Sequence, residues 1–234
     1  MQNTLSWRPQ CLAFRDQFRI LTYDARAQGQ SDGGIQELSL EGHAVDLSEL
    51  LNHLGVEKAH LVGLSHGAKV ALVLAANKPE QVDRLVLCSV DATPTCRSKL
   101  FVRSWLEILK GSGLEAMAWA SLPVVLGEYF LKQKERLLGP MVNAIVKRNS
   151  KEALVAHLEA MATYPPLSQV AAHIRVPRLV ISASEDPLVT KEGANKLADL
   201  CKGQHKHLLR IGHSVPSEAP ELFNETLSVF LDKV

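Results

Sequence analysis

Two rhythms of apolar positions alternate along the chain. Short runs rich in β-branched residues and leucine stand at Ala59–Leu64, 84–90, 177–181 and 207–211. Continuous runs of that length predict strands buried on both faces. Between them apolar residues recur at helical spacing. Leu40, Ala44, Leu47, Leu51 and Leu54 make one stripe, with Ser39 placed to cap its start and Gly55 its end. Val70, Val73 and Leu74 make a second, which stops at Pro79. A short helix is predicted over 7–16, a strand over 18–23 and a closing helix over 220–231. Strand, helix, strand in repetition predicts the α/β class: a mostly parallel sheet with helices on both faces and a ligand crevice at the strands' carboxyl ends.

From 92 to 166 the alternation stops. The stretch reads as amphipathic helices at 98–109, 128–138 and 151–161, with turns at Gly111-Ser112-Gly113 and Gly139-Pro140. It holds half of the chain's aromatic residues, Phe101, Trp105, Trp119, Tyr129, Phe130 and Tyr164. The predicted organisation is a core built from 1–91 and 167–234, with 92–166 inserted as an apolar helical lid.

Composition narrows the function more than the fold. The chain has 234 residues, is 46% hydrophobic and carries a formal net charge of +1, so it can bury a sizeable core and has no charge excess for nucleic acid. No run of 18 apolar residues predicts a membrane span, and the amino terminus lacks the apolar stretch of a signal peptide. Cys11, Cys88, Cys96 and Cys201 show no Cys-x-x-Cys pairing, so free thiols and a reducing cytoplasm are expected. The expected partner is a small molecule.

Candidate chemistry begins at Gly63-Leu64-Ser65-His66-Gly67, where a predicted strand meets a predicted helix. A sharp turn there lifts Ser65 clear of the sheet, and both glycines are expected to give room for neighbouring backbone. The helix dipole and free N–H groups, that of His66 first, would face an oxyanion formed beside the serine. A serine hydroxyl needs a base, and the base a carboxylate. Of nine histidines only His213 follows a predicted strand at its carboxyl end; His66 begins a helix with its ring expected to turn away from the serine. His43, His53, His157 and His173 lie on predicted helices as surface or packed rings, His60 lies inside a strand, and His205 and His207 at a strand start. Three carboxylates could serve as the acid: Asp186, ranked first because Pro187 stiffens its turn, then Asp91, then Glu185.

Together these segments resemble the α/β-hydrolase superfamily over nearly the whole chain. The run 18–31 resembles that family's strand and Asp-x-Arg-Gly-x-Gly-x-Ser loop, with Ala27 in place of the first glycine. Gly63 to Gly67 is similar to its nucleophile elbow, Pro177 to Pro187 to its acid turn, and Gly212-His213 with Glu218, Pro220 and Phe223 to its histidine segment. Within the family the chain is most similar to small lidded carboxylesterases and lactonases of the 3-oxoadipate enol-lactonase kind. The resemblance implies Ser65 as nucleophile, His213 as base, Asp186 as acid, and neither metal nor organic cofactor. It implies an acyl-enzyme on Ser65 and cleavage of an ester, thioester or lactone; an acyltransferase using the same intermediate and a catalytically impaired binding protein are the alternatives. In such relatives, strands and a His-Gly loop carrying a second oxyanion donor precede the helix that holds Trp7, and these are expected to be missing from this sequence. The family's third strand, between those matched by 18–23 and Ala59–Leu64, is then missing too. The two would pair directly, the gap would be filled from elsewhere, or the chain is a truncated product.

Overall fold

A computed structural model describes residues 3–34 and 38–231. Four strands form one wholly parallel sheet in the order β1 (Ala59–Leu64), β2 (Val82–Cys88), β3 (Arg178–Ala183), β4 (Gln204–Leu208). Val62 stands opposite Val86, Val86 opposite Leu179, and Val180 opposite His205. Side chains of β2 and β3 are almost wholly buried, which the unbroken apolar runs required.

The helices before β2 are α1 (Arg8–Phe14), α2 (Leu40–His53) and α3 (His66–Asn77). Ser39 caps α2 by accepting the Gly42 N–H at 3.0 Å, and Gly55 ends it at φ +66°. Between β2 and β3 come α4 (Cys96–Val125), α5 (Glu128–Lys134), α6 (Leu138–Arg148), α7 (Lys151–Thr163) and the short α8 (Ser168–Ala172). Gly113, at φ 87° and ψ −178°, breaks α4 into two arms where a turn was expected. The turn expected at Gly139-Pro140 is instead the first turn of α6. Pro140 is its third residue, where a missing N–H costs no intrahelical bond. After β3 come α9 (Lys191–Leu200), α10 (Val215–Glu218) and α11 (Pro220–Leu231).

Two cores sandwich the sheet. On one face Leu40, Leu47 and Leu51 of α2 and Val70, Val73 and Leu74 of α3 join Leu85, Leu87 and Val180. On the other, Phe14, Phe223, Leu227 and Phe230 cover Leu64, Val86, Ile181 and Leu208. Each such side chain contributes about 1.5–3 kcal/mol by leaving water, which fixes the helices firmly enough to aim the loops between them.

Two strand expectations fail. Residues 18–23 pair with no strand among the described residues, and so do not pair directly with β1. The segment is held by side chains instead: the Phe18 ring lies 5.7 Å edge-on from His60 and 6.2 Å from Phe14, while Ile20 and Leu21 are exposed. β4 begins three residues earlier than expected, with His205 and His207 inside it, His205 Nε2 and His207 Nδ1 each 2.8 Å from Ser182 Oγ. Leu209 points outward, 70% exposed, and Arg210 turns the chain at φ 58°, so the apolar run overshoots the strand.

Ladder bonds continue past the strand ends and line up the loops that matter. Ser65 donates its N–H to the Cys88 carbonyl at 2.8 Å, Ser89 to Ile181 at 2.9 Å, Ser184 to Leu208 at 2.9 Å and Glu185 to Ile211 at 2.9 Å. Residues 65, 91, 186 and 213 therefore follow one edge of the sheet.

Candidate active site

Ser65 sits between β1 and α3 at φ 53° and ψ −113°, a conformation costing a non-glycine residue about 1–3 kcal/mol. Gly63 makes the turn possible. A Cβ there would lie 2.5 Å from both the Ala68 nitrogen and the Gly67 carbonyl oxygen. Gly67 is different from the expectation, because a Cβ on it would meet open space. Nothing packs on that side of the first turn of α3, which faces a cavity. At the head of α3 the N–H of His66 has no intrahelical acceptor.

His213 follows β4 and is 6% exposed. Its Nδ1 stands 2.8 Å from Asp186 Oδ2. The other oxygen of Asp186 accepts the N–H groups of Leu188 at 2.9 Å and Val189 at 3.1 Å, so the carboxylate is fixed from behind. With Nδ1–H donating to a buried carboxylate, Nε2 keeps its lone pair. His213 and Ser65 line the same cavity of about 670 Å³. The Ser65 hydroxyl makes no hydrogen bond among the described residues. Serine–base bonds in ligand-free sites are often long and close only around substrate.

Neither of the other candidate acids is hydrogen-bonded to His213. Asp91 lines the cavity and is buried, but its Oδ2 has no hydrogen-bond partner; burial pushes its pKa up, partly offset by Lys69. Glu185 accepts the Glu128 N–H at 2.7 Å and so holds the start of α5.

The α/β-hydrolase fold family matches residues 2–140. The chain is an α/β-hydrolase. It is 29% identical over 229 residues to the RutD protein of Agrobacterium fabrum, covering 96% of this chain and 87% of that one, and 30% identical over 232 residues to RutD of Yersinia enterocolitica, covering 96% and 82%. Both are named for carbamate hydrolysis. The enol-lactonase of Burkholderia xenovorans LB400 superposes with a TM-score of 0.89 at 26% identity, over 99% of this chain and 87% of that one. A thermophilic esterase from Thermogutta terrifontis gives 0.87 at 26%, over 99% and 86%.

In this hydrolase one carboxylate ties the junction of α4 and α5 to the histidine loop. Glu218 Oε2 accepts the N–H of Gly127 at 2.8 Å and of Gly212 at 2.9 Å, and Oε1 accepts that of Ser214 at 3.0 Å. Gly212 is needed at this junction, since a Cβ would lie 2.4 Å from the Gly127 nitrogen. The sequence offered no signal for this role beyond the family resemblance around Glu218. The Glu218→Gln variant replaces an acceptor oxygen with an NH₂ group and leaves at least one N–H orphaned. Loss of hydrogen bonds to a charged group predicts a destabilisation of about 2–3 kcal/mol, measured by urea unfolding.

The α/β-hydrolase also brings together three histidines that sequence reasoning had treated separately. His43 of α2, His66 of α3 and His157 of α7 pack ring against ring, and Tyr164 Oη lies 3.3 Å from His66 Nε2. Burial depresses all three, His157 to about 3, so they are neutral imidazoles at neutral pH. Separations of 23 and 91 residues carry no motif that could have announced them.

Proposed function

We propose that this α/β-hydrolase cleaves an ester, thioester, lactone or carbamate bond through an acyl-enzyme on Ser65. The observation that carries the reading is the 2.8 Å bond from His213 to a backbone-anchored Asp186, at a cavity onto which the strained Ser65 turn also opens. In the mechanism, Ser65 Oγ attacks the carbonyl carbon while His213 Nε2 takes its proton. Asp186 stabilises the resulting imidazolium. The His66 N–H donates to the oxyanion, and the imidazolium then protonates the leaving oxygen, sulfur or nitrogen. Water, deprotonated by the same histidine, releases the acid and restores Ser65.

The cavity's walls favour an acyl group that is partly apolar and carries an anion. Val102, Leu106, Met117, Leu122 and Ile145 line it from the inserted helices. Lys69, Lys99, Arg103 and Arg148 line it as well, against Asp91 as a carboxylate. A volume near 670 Å³ is well beyond a bare carbamate group and suits a drug-sized ligand. A panel of small lactones and aryl esters, each as its free carboxylate and as its methyl ester, tests this together with an aryl carbamate. The carboxylate forms are expected to be turned over with kcat/KM about tenfold higher, equivalent to about 1.4 kcal/mol of charge pairing. The Arg103→Gln variant is expected to narrow that gap. Equal or better turnover of the methyl esters contradicts the anionic preference, and no turnover of any member contradicts the activity.

A further inference from the structure

We propose that His43, His66 and His157 form a binding site for a zinc-class transition-metal ion, which clamps the inserted helices to the core beside Ser65. One ring nitrogen from each of the three lies within 4.8 Å of the others. The ring centroids are 4.9 Å apart for His43 and His66, 4.5 Å for His66 and His157, and 6.3 Å for His43 and His157. A tetrahedral ion with bonds of about 2.0–2.1 Å sets its nitrogens about 3.3 Å apart, so modest ring rotations inward complete the site.

A second observation separates this cluster from ordinary packed histidines. A neutral imidazole has one donor and one acceptor nitrogen, and burying either without a partner is costly. Yet both ring nitrogens of His43 and Nδ1 of His157 are buried with no hydrogen-bond partner among the described residues. The two residues are 2% and 5% exposed, so bulk solvent scarcely reaches them. A metal ion is a ligand that satisfies such lone pairs from three rings at once. Imidazole donors select zinc, copper or nickel over magnesium or calcium, which require oxygen ligands.

The position of the site gives it a consequence. His66 and His157 both line the active-site cavity, leaving a further coordination position open towards it. His157 belongs to α7 of the inserted helices, whereas His43 and His66 belong to the core. An ion would therefore hold the inserted segment against α2 and α3, and it would constrain the residue that follows Ser65. Tyr164, against His66 Nε2, orients that ring. The site does not depend on the acyl-enzyme reading, and its test is optical.

Cobalt(II) titrated into the whole metal-stripped protein is expected to give visible d–d bands of a four- or five-coordinate nitrogen site, saturating at one equivalent and bleached by zinc. The His43→Gln and His157→Gln variants are expected to weaken cobalt binding by at least about 100-fold. A His53→Gln variant, changed at an exposed position on the same helix, keeps it. Absence of the bands in excess cobalt, or bands of equal strength in the two cluster variants, overturns the proposal. Should those variants not fold, the imidazole nitrogen resonances of the unaltered protein decide. One equivalent of zinc is expected to shift His43, His66 and His157 while sparing His53 and His173; shifts confined to other histidines overturn it.

Discussion

Replacing Ser65 by Ala is expected to lower turnover by about 10⁴–10⁶ while leaving the folded state intact. The asymmetry follows from where the oxygen sits. The turn is set by the backbone, through Gly63 and the Ser65 N–H bond to Cys88, and an alanine can occupy the same φ and ψ. The hydroxyl contributes no hydrogen bond to the fold among the described residues. On the proposed mechanism its loss removes the nucleophile, and it removes nothing that holds β1 to α3. Circular dichroism and thermal unfolding should be unchanged, with the entire effect in kcat. A fall in stability matching the fall in activity would mean that Ser65 shapes the turn and does no chemistry.

The second large effect is expected at Asp186. In an Asp186→Asn variant one amide oxygen can still accept from Leu188 and Val189, so the loop keeps its shape. The amide nitrogen then meets His213 Nδ1 as a donor and forces the proton onto Nε2, the wrong tautomer for a base. Such a change typically costs about 10⁴ in kcat. Asp91→Asn is expected to cost less than about tenfold, because the Asp91 carboxylate makes no hydrogen bond to His213 and burial already disfavours its charge. Comparing kcat for the two variants checks the assignment. The reverse order would transfer the acid's role to Asp91.

Residues with strong local rules were legible in the sequence. Ser39 and Gly55 bracket α2 because a cap and a left-handed stop need particular side chains. The strand–serine–helix transition was legible because an apolar run ending in Gly-x-Ser-x-Gly leaves the chain few alternatives. The rule that apolar runs form strands located β1, β2 and β3 but misplaced two segments. Residues 18–23 have a strand's composition but no backbone partner among the described residues, and 207–211 count an outward-facing Leu209 as if it were inward. Of the two glycines flanking Ser65 only Gly63 is sterically required, since sequence shows a glycine but not which side of it is crowded.

Long-range partnerships were the hardest to read. The pairing of His213 with Asp186 could be ranked from chain order and loop position, although the rival carboxylates 91 and 185 satisfied similar tests. The bonds to Glu218 from Gly127, Gly212 and Ser214 depend on how the helices between β2 and β3 meet the histidine loop, which no local pattern encodes. The same is true of His43, His66 and His157. Each is unremarkable on its own helix, and only the packing of α2, α3 and α7 brings them within reach of a common ion.

Whether the proposed covalent intermediate forms on Ser65 is read out by intact-protein mass spectrometry after exposure to a fluorophosphonate. One adduct per chain, mapped to the peptide carrying Ser65 and abolished in the Ser65→Ala variant, is the predicted result. Folded protein that stays unlabelled, or that is labelled equally when Ser65 is alanine, would contradict it.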